Sequence, residues 1–140
     1  MRNWWKITAV ATAFALTTTI LMLITWEETA IAKTETTSTA KTMKVTAYCP
    51  CKKCCGNCAD GKTSTGRNAW KTLGVAADPK LLSYGTKLDI PGVGIRKVDD
   101  TGGAMRQSAK NGIYHIDVRF HSHQEALNFG VRQLDVEILN

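Results

Sequence analysis

The sequence lacks several features that would place it in other classes of protein. It has no internal repeat. It also has no basic helix and no basic strand interleaved with aromatic residues, which are the elements that nucleic-acid-binding domains use. Nucleic acid is therefore a poor candidate partner, although the formal net charge is +6.

The chain also lacks charge over a long stretch near its start. No ionisable residue occurs between Lys6 and Glu27, and the residues between them are mostly apolar. A run of about twenty residues is long enough to cross a bilayer, and Arg2 adds to the positive flank that precedes a secretory signal. The small residues Ala30 and Ala32, separated by one position, form a pattern that a signal peptidase could cut. We predict that residues 1–32 are a signal peptide or an N-terminal membrane anchor, and the length of the run slightly favours the anchor.

The residues after this run are predicted to lie outside the cytoplasm, either secreted or anchored, because the basic end of such a segment stays inside. The Thr-rich stretch at 33–42 has no apolar periodicity, so we expect a flexible tether. The folded domain then covers residues 43–140. Residues 1–32 contain two basic and two acidic side chains, so the domain keeps the charge of +6. An exported basic domain is attracted to anionic polymers such as a cell wall or to lipid headgroups.

The predicted domain is mainly β. Short runs rich in β-branched and aromatic residues are separated by glycine and proline turns, a pattern that argues for a sandwich or a barrel. The predicted strands cover residues 43–48, 74–78, 86–91, 94–98, 114–120 and 133–139.

One helix is well signalled between the last two predicted strands. Ser122 and Glu125 have the spacing of a capping box, and Gly130 is a suitable residue to end the helix. A weaker turn of helix is predicted over residues 79–85. The expected fold therefore has one or two short helices.

Three aspartates occupy positions that invite a functional interpretation. Asp78 ends a short apolar strand, and Asp117 lies inside a strand on the opposite parity from its apolar neighbours. Asp100 precedes a tight turn whose backbone N–H groups can point toward a ligand. That turn consists of Thr101, Gly102 and Gly103. Each aspartate also has an ordinary interpretation, as a turn residue or as the solvent face of a strand, and the spacing alone does not decide between them.

The chain resembles the 3D (three-aspartate) domain family in four blocks that occur in order: TAYCPC, GVAADPKLLSYGTKLDIPG, DDTGGAM and IDVRFHSHQEALNFG. That family includes the catalytic module of membrane-bound lytic transglycosylase A, and it occurs in exported cell-wall proteins of Gram-positive bacteria and their phages. The resemblance covers residues 43–140 and implies a six-stranded double-psi β-barrel. The three aspartates that it implies are Asp78, Asp100 and Asp117.

The resemblance implies an enzyme that cleaves peptidoglycan glycan strands. In a lytic transglycosylase one carboxylic acid protonates the leaving oxygen and also acts as base toward the C6 hydroxyl of muramic acid, which gives a 1,6-anhydro product. Asp117 is expected in this role, with Asp100 and Asp78 tuning its pKa and orientation. Tyr48 and the turn at 101–103 are expected to contact the substrate. The alternatives are a glycoside hydrolase with two catalytic carboxylates and a non-catalytic wall-binding barrel.

Two features qualify this resemblance. The stretch between the second and third aspartates is longer than in the family pattern, and we expect residues 106–115 to lengthen the exposed loop of a hairpin. No separate wall-binding repeat is present, so targeting must come from the barrel, the tether or the charge. If residues 1–32 stay uncleaved, the membrane is a further partner. Trp70 is interpreted as packing at the end of the barrel, with stacking on a sugar ring as the alternative.

The cysteines are concentrated in one short segment. They are Cys49, Cys51, Cys54, Cys55 and Cys58. The C-x-x-C spacings at 51–54 and 55–58 are typical of zinc ligands, whereas an exported protein more often forms disulfides, and an odd number leaves one thiol over. Disulfides, a structural metal and free thiols all stay open, and the expected reaction requires no cofactor. His121 and His123, on either side of Ser122, are interpreted as residues at a helix start with ordinary solvent contacts.

Overall fold

The computed structural model describes residues 39–139, whose strands close into a six-stranded barrel. The predicted signal or anchor at 1–32 and the first part of the predicted tether lie outside the described residues. In the described part of the chain, no helix is long and apolar enough to cross a membrane. The strands are β1 (Thr39–Tyr48), β2 (Gly74–Ala76), β3 (Lys87–Ile90), β4 (Gly94–Asp100), β5 (His115–Arg119) and β6 (Arg132–Leu139).

The barrel closes in the order β1-β5-β2-β4-β3-β6. β1 runs parallel to β5, and β2 runs parallel to β4, while the remaining neighbours are antiparallel. The prediction of a mainly β, six-stranded barrel is confirmed. The helices among the described residues number three rather than one or two: α1 (Lys52–Cys55), α2 (Gly103–Lys110) and α3 (His123–Phe129).

Aliphatic side chains from all six strands fill the interior of the barrel. The two-residue period of a strand sends alternate side chains inward. On β5 the inward residues are Ile116 and Val118, so Asp117 and Arg119 face away from the interior, toward the connecting segments. The most deeply buried core residues are Met43, Val45, Val75, Leu88, Ile90, Val98, Ile116, Val118 and Val136.

The first strand begins earlier than the sequence predicts. β1 starts at Thr39 instead of Met43, and Thr39 lies opposite Ile138 of β6. Thr42 also donates a hydrogen bond of 2.5 Å to the carboxylate of Asp135 on the same neighbour. This end of β1 is exposed, so it has no apolar alternation to reveal a strand. The end of the predicted tether therefore belongs to the barrel.

The stretch between Asp100 and Asp117 contains helix α2, not the lengthened hairpin loop that we predicted. That prediction is wrong because β4 and β5 are not neighbours in the barrel, and α2 lies in the connection between them. The residue at the N-cap is Gly102, which has no side chain to cap the helix. The usual sequence signal for a helix start, a Ser, Thr, Asp or Asn cap, is therefore missing.

Helix α3 agrees with its sequence signal. The hydroxyl of Ser122 accepts from the backbone N of Glu125 at 3.1 Å, and the Glu125 carboxylate accepts from the backbone N of Ser122 at 3.4 Å. Gly130 follows the helix with φ of 66°, a conformation that favours glycine. Residues 79–85 form turns instead of the weaker helical turn that we predicted.

Candidate active site

A cavity of about 640 Å³ opens where β1 and β4 end and beside the middle of β5. Its volume lies within the range of about 300–1,000 Å³ that is typical of ligand sites. The other walls come from the start of α2 and from the loop that includes residues 57–64. The predicted catalytic and substrate-binding residues that line it are Tyr48, Asp100, Thr101, Gly102, Gly103 and Asp117.

Asp117 faces this cavity from β5 and is partly buried. Thr46, its register partner on β1, donates a hydrogen bond of 2.7 Å to the Asp117 carboxylate. Burial raises the pKa of Asp117 to about 6; the hydrogen bond from Thr46 opposes this rise, and the negative charge of Asp100 adds to it. Asp117 can therefore carry a transferable proton at mildly acidic pH, as a general acid requires.

A buried histidine holds Thr46 in place. Nε2 of His115 lies 3.1 Å from the Thr46 hydroxyl, and Nδ1 lies 2.9 Å from the hydroxyl of Ser108 on α2. Because the Thr46 hydroxyl donates to Asp117, we assign Nε2 as the donor to Thr46 and Nδ1 as the acceptor from Ser108. Burial and the nearby charge of Lys44 lower the pKa of His115, which favours this neutral form. The chain of hydrogen bonds thus orients Asp117 from helix α2.

Asp100 has a very different environment. One carboxylate oxygen accepts from the backbone N and the hydroxyl of Ser64 at 2.9 and 2.7 Å and from the backbone N of Thr101 at 2.8 Å. The other accepts from the hydroxyl of Tyr48 at 2.7 Å. Burial acts in the opposite direction, but these hydrogen bonds hold the pKa of Asp100 below its ordinary value. Asp100 therefore stays ionised where Asp117 is protonated.

A buried ion pair lies beside the carboxylate of Asp100 and the hydroxyl of Tyr48. Arg119 is fully buried, and its Nη2 lies 2.6 Å from the carboxylate of Asp99. Nη1 donates to the Tyr48 hydroxyl at 2.8 Å and lies 3.7 Å from the Asp100 carboxylate. Nε donates to the carbonyl oxygen of Thr72 at 3.0 Å. The guanidinium occupies one acceptor position of the Tyr48 hydroxyl, which leaves the hydroxyl hydrogen for Asp100.

The sequence analysis did not single out six residues of this site: Thr46, Ser64, Asp99, Ser108, His115 and Arg119. Arg119 shares the strand parity of Asp117, and that parity is the signal that would have identified it. Asp99 directly precedes Asp100, but its parity marks it as pointing to the other side of the strand. Thr46 and Ser64 have no signal of their own, since their roles depend on the β1–β5 register and on the path of a loop.

Asp78, the first of the three aspartates, does not line the cavity formed by the described residues. Its side chain is buried and accepts from the backbone N of Lys80 at 2.8 Å, and its carbonyl oxygen accepts from the backbone N of Leu82 at 2.9 Å. This is the geometry of an aspartate that begins a turn. The structure therefore brings together two of the three predicted aspartates and gives the third a turn-forming position.

Gly74 on β2 has no side chain, and the ion pair between Asp99 and Arg119 occupies the space that a side chain would fill. A Cβ atom at this position would clash with the Asp99 carboxylate and lie 2.7 Å from Nη2 of Arg119. We expect Gly74→Ala to displace the pair and lower the free energy of unfolding by about 1–3 kcal/mol, measured by urea denaturation. Gly103→Ala is the matched control, because its Cβ would meet nothing within 4 Å. Equal losses for the two variants would contradict this account.

Trp70 does not pack at the end of the barrel. Its side chain is 47% exposed, so the packing interpretation is wrong. It lines a shallow groove together with Asp60 and Lys62, and these two residues also line the main cavity. The indole ring is therefore accessible beside the site that contains Asp100 and Asp117.

The cysteine cluster lies against both the cavity and helix α3. Cys54, Cys55 and Cys58 line the cavity, whereas Cys49 is buried. His123, the first residue of α3, points its Nδ1 at the cluster and lies 3.3 Å from the Cys54 sulfur. His123 begins a helix, as predicted, but the prediction that it has ordinary solvent contacts is wrong. The two residues are 69 positions apart in sequence, so only the fold brings them together.

Comparison with known proteins gives consistent results. The family model of the 3D domain matches residues 73–140. The cell wall-binding protein YocH of Bacillus subtilis (strain 168) is 34% identical over 83 residues, which are 57% of this chain and 27% of that protein. The putative cell wall shaping protein YabE of the same organism is 30% identical over 107 residues, which are 76% of this chain and 24% of that protein. The chain thus spans about a quarter of the length of these relatives.

Proposed function

Since the family model of the 3D domain matches residues 73–140, we propose that the chain cleaves peptidoglycan glycan strands as a lytic transglycosylase. The observation that carries the proposal is the contrast between two carboxylates in one cavity. Burial raises the pKa of Asp117 to about 6, whereas hydrogen bonds keep Asp100 ionised. Two carboxylates whose pKa values are driven apart are the usual mark of an acid–base site.

Asp117 carries the proton in the proposed reaction. Its carboxyl group donates a proton to the oxygen that links N-acetylmuramic acid to N-acetylglucosamine, and the bond from that oxygen to the anomeric carbon breaks. The C6 hydroxyl of the same muramic acid attacks the anomeric carbon, and the Asp117 carboxylate takes up the hydroxyl proton. The products are a strand with a new free hydroxyl and a 1,6-anhydromuramic acid end. Water is not consumed, and Asp117 regains its proton.

The environment of Asp100 favours this route over hydrolysis. A glycoside hydrolase needs a second carboxylate as base or nucleophile. Both oxygens of Asp100 are already engaged by donors from Ser64, Thr101 and Tyr48, which makes it a weak base and a weak nucleophile. Its fixed negative charge can instead stabilise the positive charge that develops at the anomeric carbon.

The surroundings of the cavity suit an acidic carbohydrate polymer. Lys62 and Arg106 line it and provide positive charge for the acidic groups of stem peptides or other wall polymers. The exposed indole of Trp70 offers an apolar face to a sugar ring outside the cavity. The names of the two relatives refer to the cell wall and support the wall as substrate. A position outside the cytoplasm, directed by residues 1–32, is part of the same proposal.

The products of cleavage test the proposal directly. Purified glycan strands are incubated with the full chain, and the products are analysed by mass spectrometry. Muramic acid ends that lack one water relative to a reducing end are expected. Reducing ends would instead assign a hydrolase. Sedimentation of the chain with cell walls, without any cleavage, would assign a wall-binding barrel, the second candidate that the name of one relative favours.

The pH dependence of cleavage provides a second test. We expect kcat/KM to fall as the pH rises through about 6, because the acid must be protonated to donate and burial raises the pKa of Asp117 to that value. Thr46→Val removes a hydrogen bond that lowers this pKa, so the fall should move to higher pH. Asp100→Asn removes a charge that raises it, so the fall should move to lower pH. Profiles that shift in the same direction for both variants would contradict the assignment.

A further inference from the structure

Four side chains that can bind a metal converge beside the cavity. They are Cys49, Cys51, Cys54 and His123, and their ligand atoms all lie within 4.8 Å of one another. Nδ1 of His123 is 3.8, 3.7 and 3.3 Å from the sulfurs of Cys49, Cys51 and Cys54. The sulfurs of Cys49 and Cys54 are 3.6 Å apart. Two segments of the chain therefore supply one cluster: the stretch from Cys49, directly after β1, to Cys54 in α1, and the first turn of α3.

These distances approach those of a tetrahedral zinc site. With Zn–S of about 2.3 Å and Zn–N of about 2.0 Å, a regular tetrahedron has edges of about 3.8 Å between sulfurs and about 3.5 Å between sulfur and nitrogen. Four of the five measured distances lie close to these values. The fifth, 2.7 Å between Cys49 and Cys51, is shorter, and Cys51 lies in a partly exposed position from which its side chain can rotate away.

We propose that Cys49, Cys51, Cys54 and His123 bind one zinc ion as a structural site. Three thiolates and one imidazole form a soft ligand set that selects zinc over calcium or magnesium. All four positions are filled by protein, which is the arrangement of a structural site and leaves no coordination position for catalysis. Binding releases the thiol protons and gives the centre a net negative charge, which Lys52 and Lys53 on α1 are placed to offset.

The proposed ligands differ from those that the C-x-x-C spacing indicates. Cys55 is not a ligand, because its thiol donates to the backbone carbonyl of Cys49 at 3.3 Å. Cys58 is exposed and is not among the converging side chains. The second C-x-x-C pair thus lines the cavity, and His123 takes the place of a fourth cysteine.

The zinc would fix one wall of the cavity. Cys49 directly follows Tyr48, which donates to Asp100, and Cys54 begins the segment that leads to Ser64, the other side-chain donor to Asp100. The metal would therefore link both of these segments, the one with Tyr48 and the one that leads to Ser64, to helix α3. This inference stands on the cluster alone and does not depend on which reaction the cavity supports.

Metal content tests the proposal. The full chain is purified under reducing conditions with added zinc, and bound metal is measured by elemental analysis after excess zinc is removed. We expect one zinc per chain for the parent and for Cys58→Ser, and less than a tenth of that for Cys54→Ser and His123→Gln. The parent loaded with cobalt should show thiolate charge-transfer bands and the visible absorption of tetrahedral cobalt. This measurement requires no variant to fold.

Several results would overturn the proposal. Full zinc retention by His123→Gln, or complete loss in Cys58→Ser, would show that the ligand set is different. A parent chain with no zinc whose mass is lower by paired hydrogens, and is restored by reductant, would assign disulfides. Five reactive thiols without metal would leave the cluster as a thiol-rich loop. Zinc content does not depend on glycan cleavage, so a failure here is distinct from a failure of the proposed transglycosylase.

Discussion

Asp117→Asn is expected to slow glycan cleavage by about a hundred- to ten-thousand-fold, the usual contribution of general acid–base catalysis. The amide keeps the shape of the side chain and can still accept the hydrogen bond from Thr46, but it has no transferable proton. The fold should be retained at neutral pH, because ionised Asp117 is disfavoured by burial there and its replacement by a neutral group removes that cost. Initial rates of strand cleavage, measured beside thermal melting, give both quantities.

Glu137→Gln is the matched control for this variant. It makes the same change of acid to amide at an exposed position on β6, away from the cavity. Its cleavage rate and melting temperature should equal those of the parent. If Asp117→Asn cleaves glycan as fast as Glu137→Gln does, Asp117 is not the catalytic acid.

Arg119→Met is expected to have the largest effect on stability. It leaves the Asp99 carboxylate, whose residue is 3% exposed, without its buried cation. The other oxygen of Asp99 already lacks a hydrogen-bond partner. Removing one partner of a buried ion pair typically costs about 3–5 kcal/mol. The free energy of unfolding, measured by urea denaturation, should fall by this amount.

The same carboxylate offers an internal control. Arg67 lies 3.9 Å from the same Asp99 oxygen that Arg119 contacts, but its side chain is 50% exposed. Exposed ion pairs contribute about 0–1 kcal/mol, so Arg67→Met should lower the free energy of unfolding by no more than that. If the two methionine variants lose equal stability, burial of the Arg119–Asp99 pair is not what stabilises this part of the barrel.

The elements that the sequence predicted well are those with a local cause. The six strands follow from short runs of β-branched and aromatic residues between glycine and proline turns, and α3 follows from a capping box between Ser122 and Glu125. Helix α2 was missed because its cap is a glycine and its start coincides with a Gly-Gly turn. Four or five neighbouring residues determine each strand run and the capping box. These elements can therefore be predicted without knowledge of the fold.

The site was predictable only in part because its contacts are distant in sequence. Asp100 and Asp117 were identified through a family resemblance, but the difference between their pKa values depends on donors from β1 and from a loop. The contact between Cys54 and His123 spans 69 positions. Asp78 was assigned to the site with the other two aspartates, although its local turn geometry was visible in the proline that follows it.

The position of β1 has a mechanical consequence. Thr39 at the start of β1 pairs with Ile138 near the end of β6, so the start of the first strand and the end of the last strand are neighbours. A force that pulls these ends apart separates β1 from β6 one pair at a time, as a zipper opens. If a polymer binds at Asp117 as proposed, tension between that polymer and the start of β1 acts instead along the parallel β1–β5 ladder, where the pairs from Lys44 to Tyr48 share the load. We therefore expect extension between the start of β1 and the end of β6 to open the barrel at a lower force than tension applied through a strand bound as proposed.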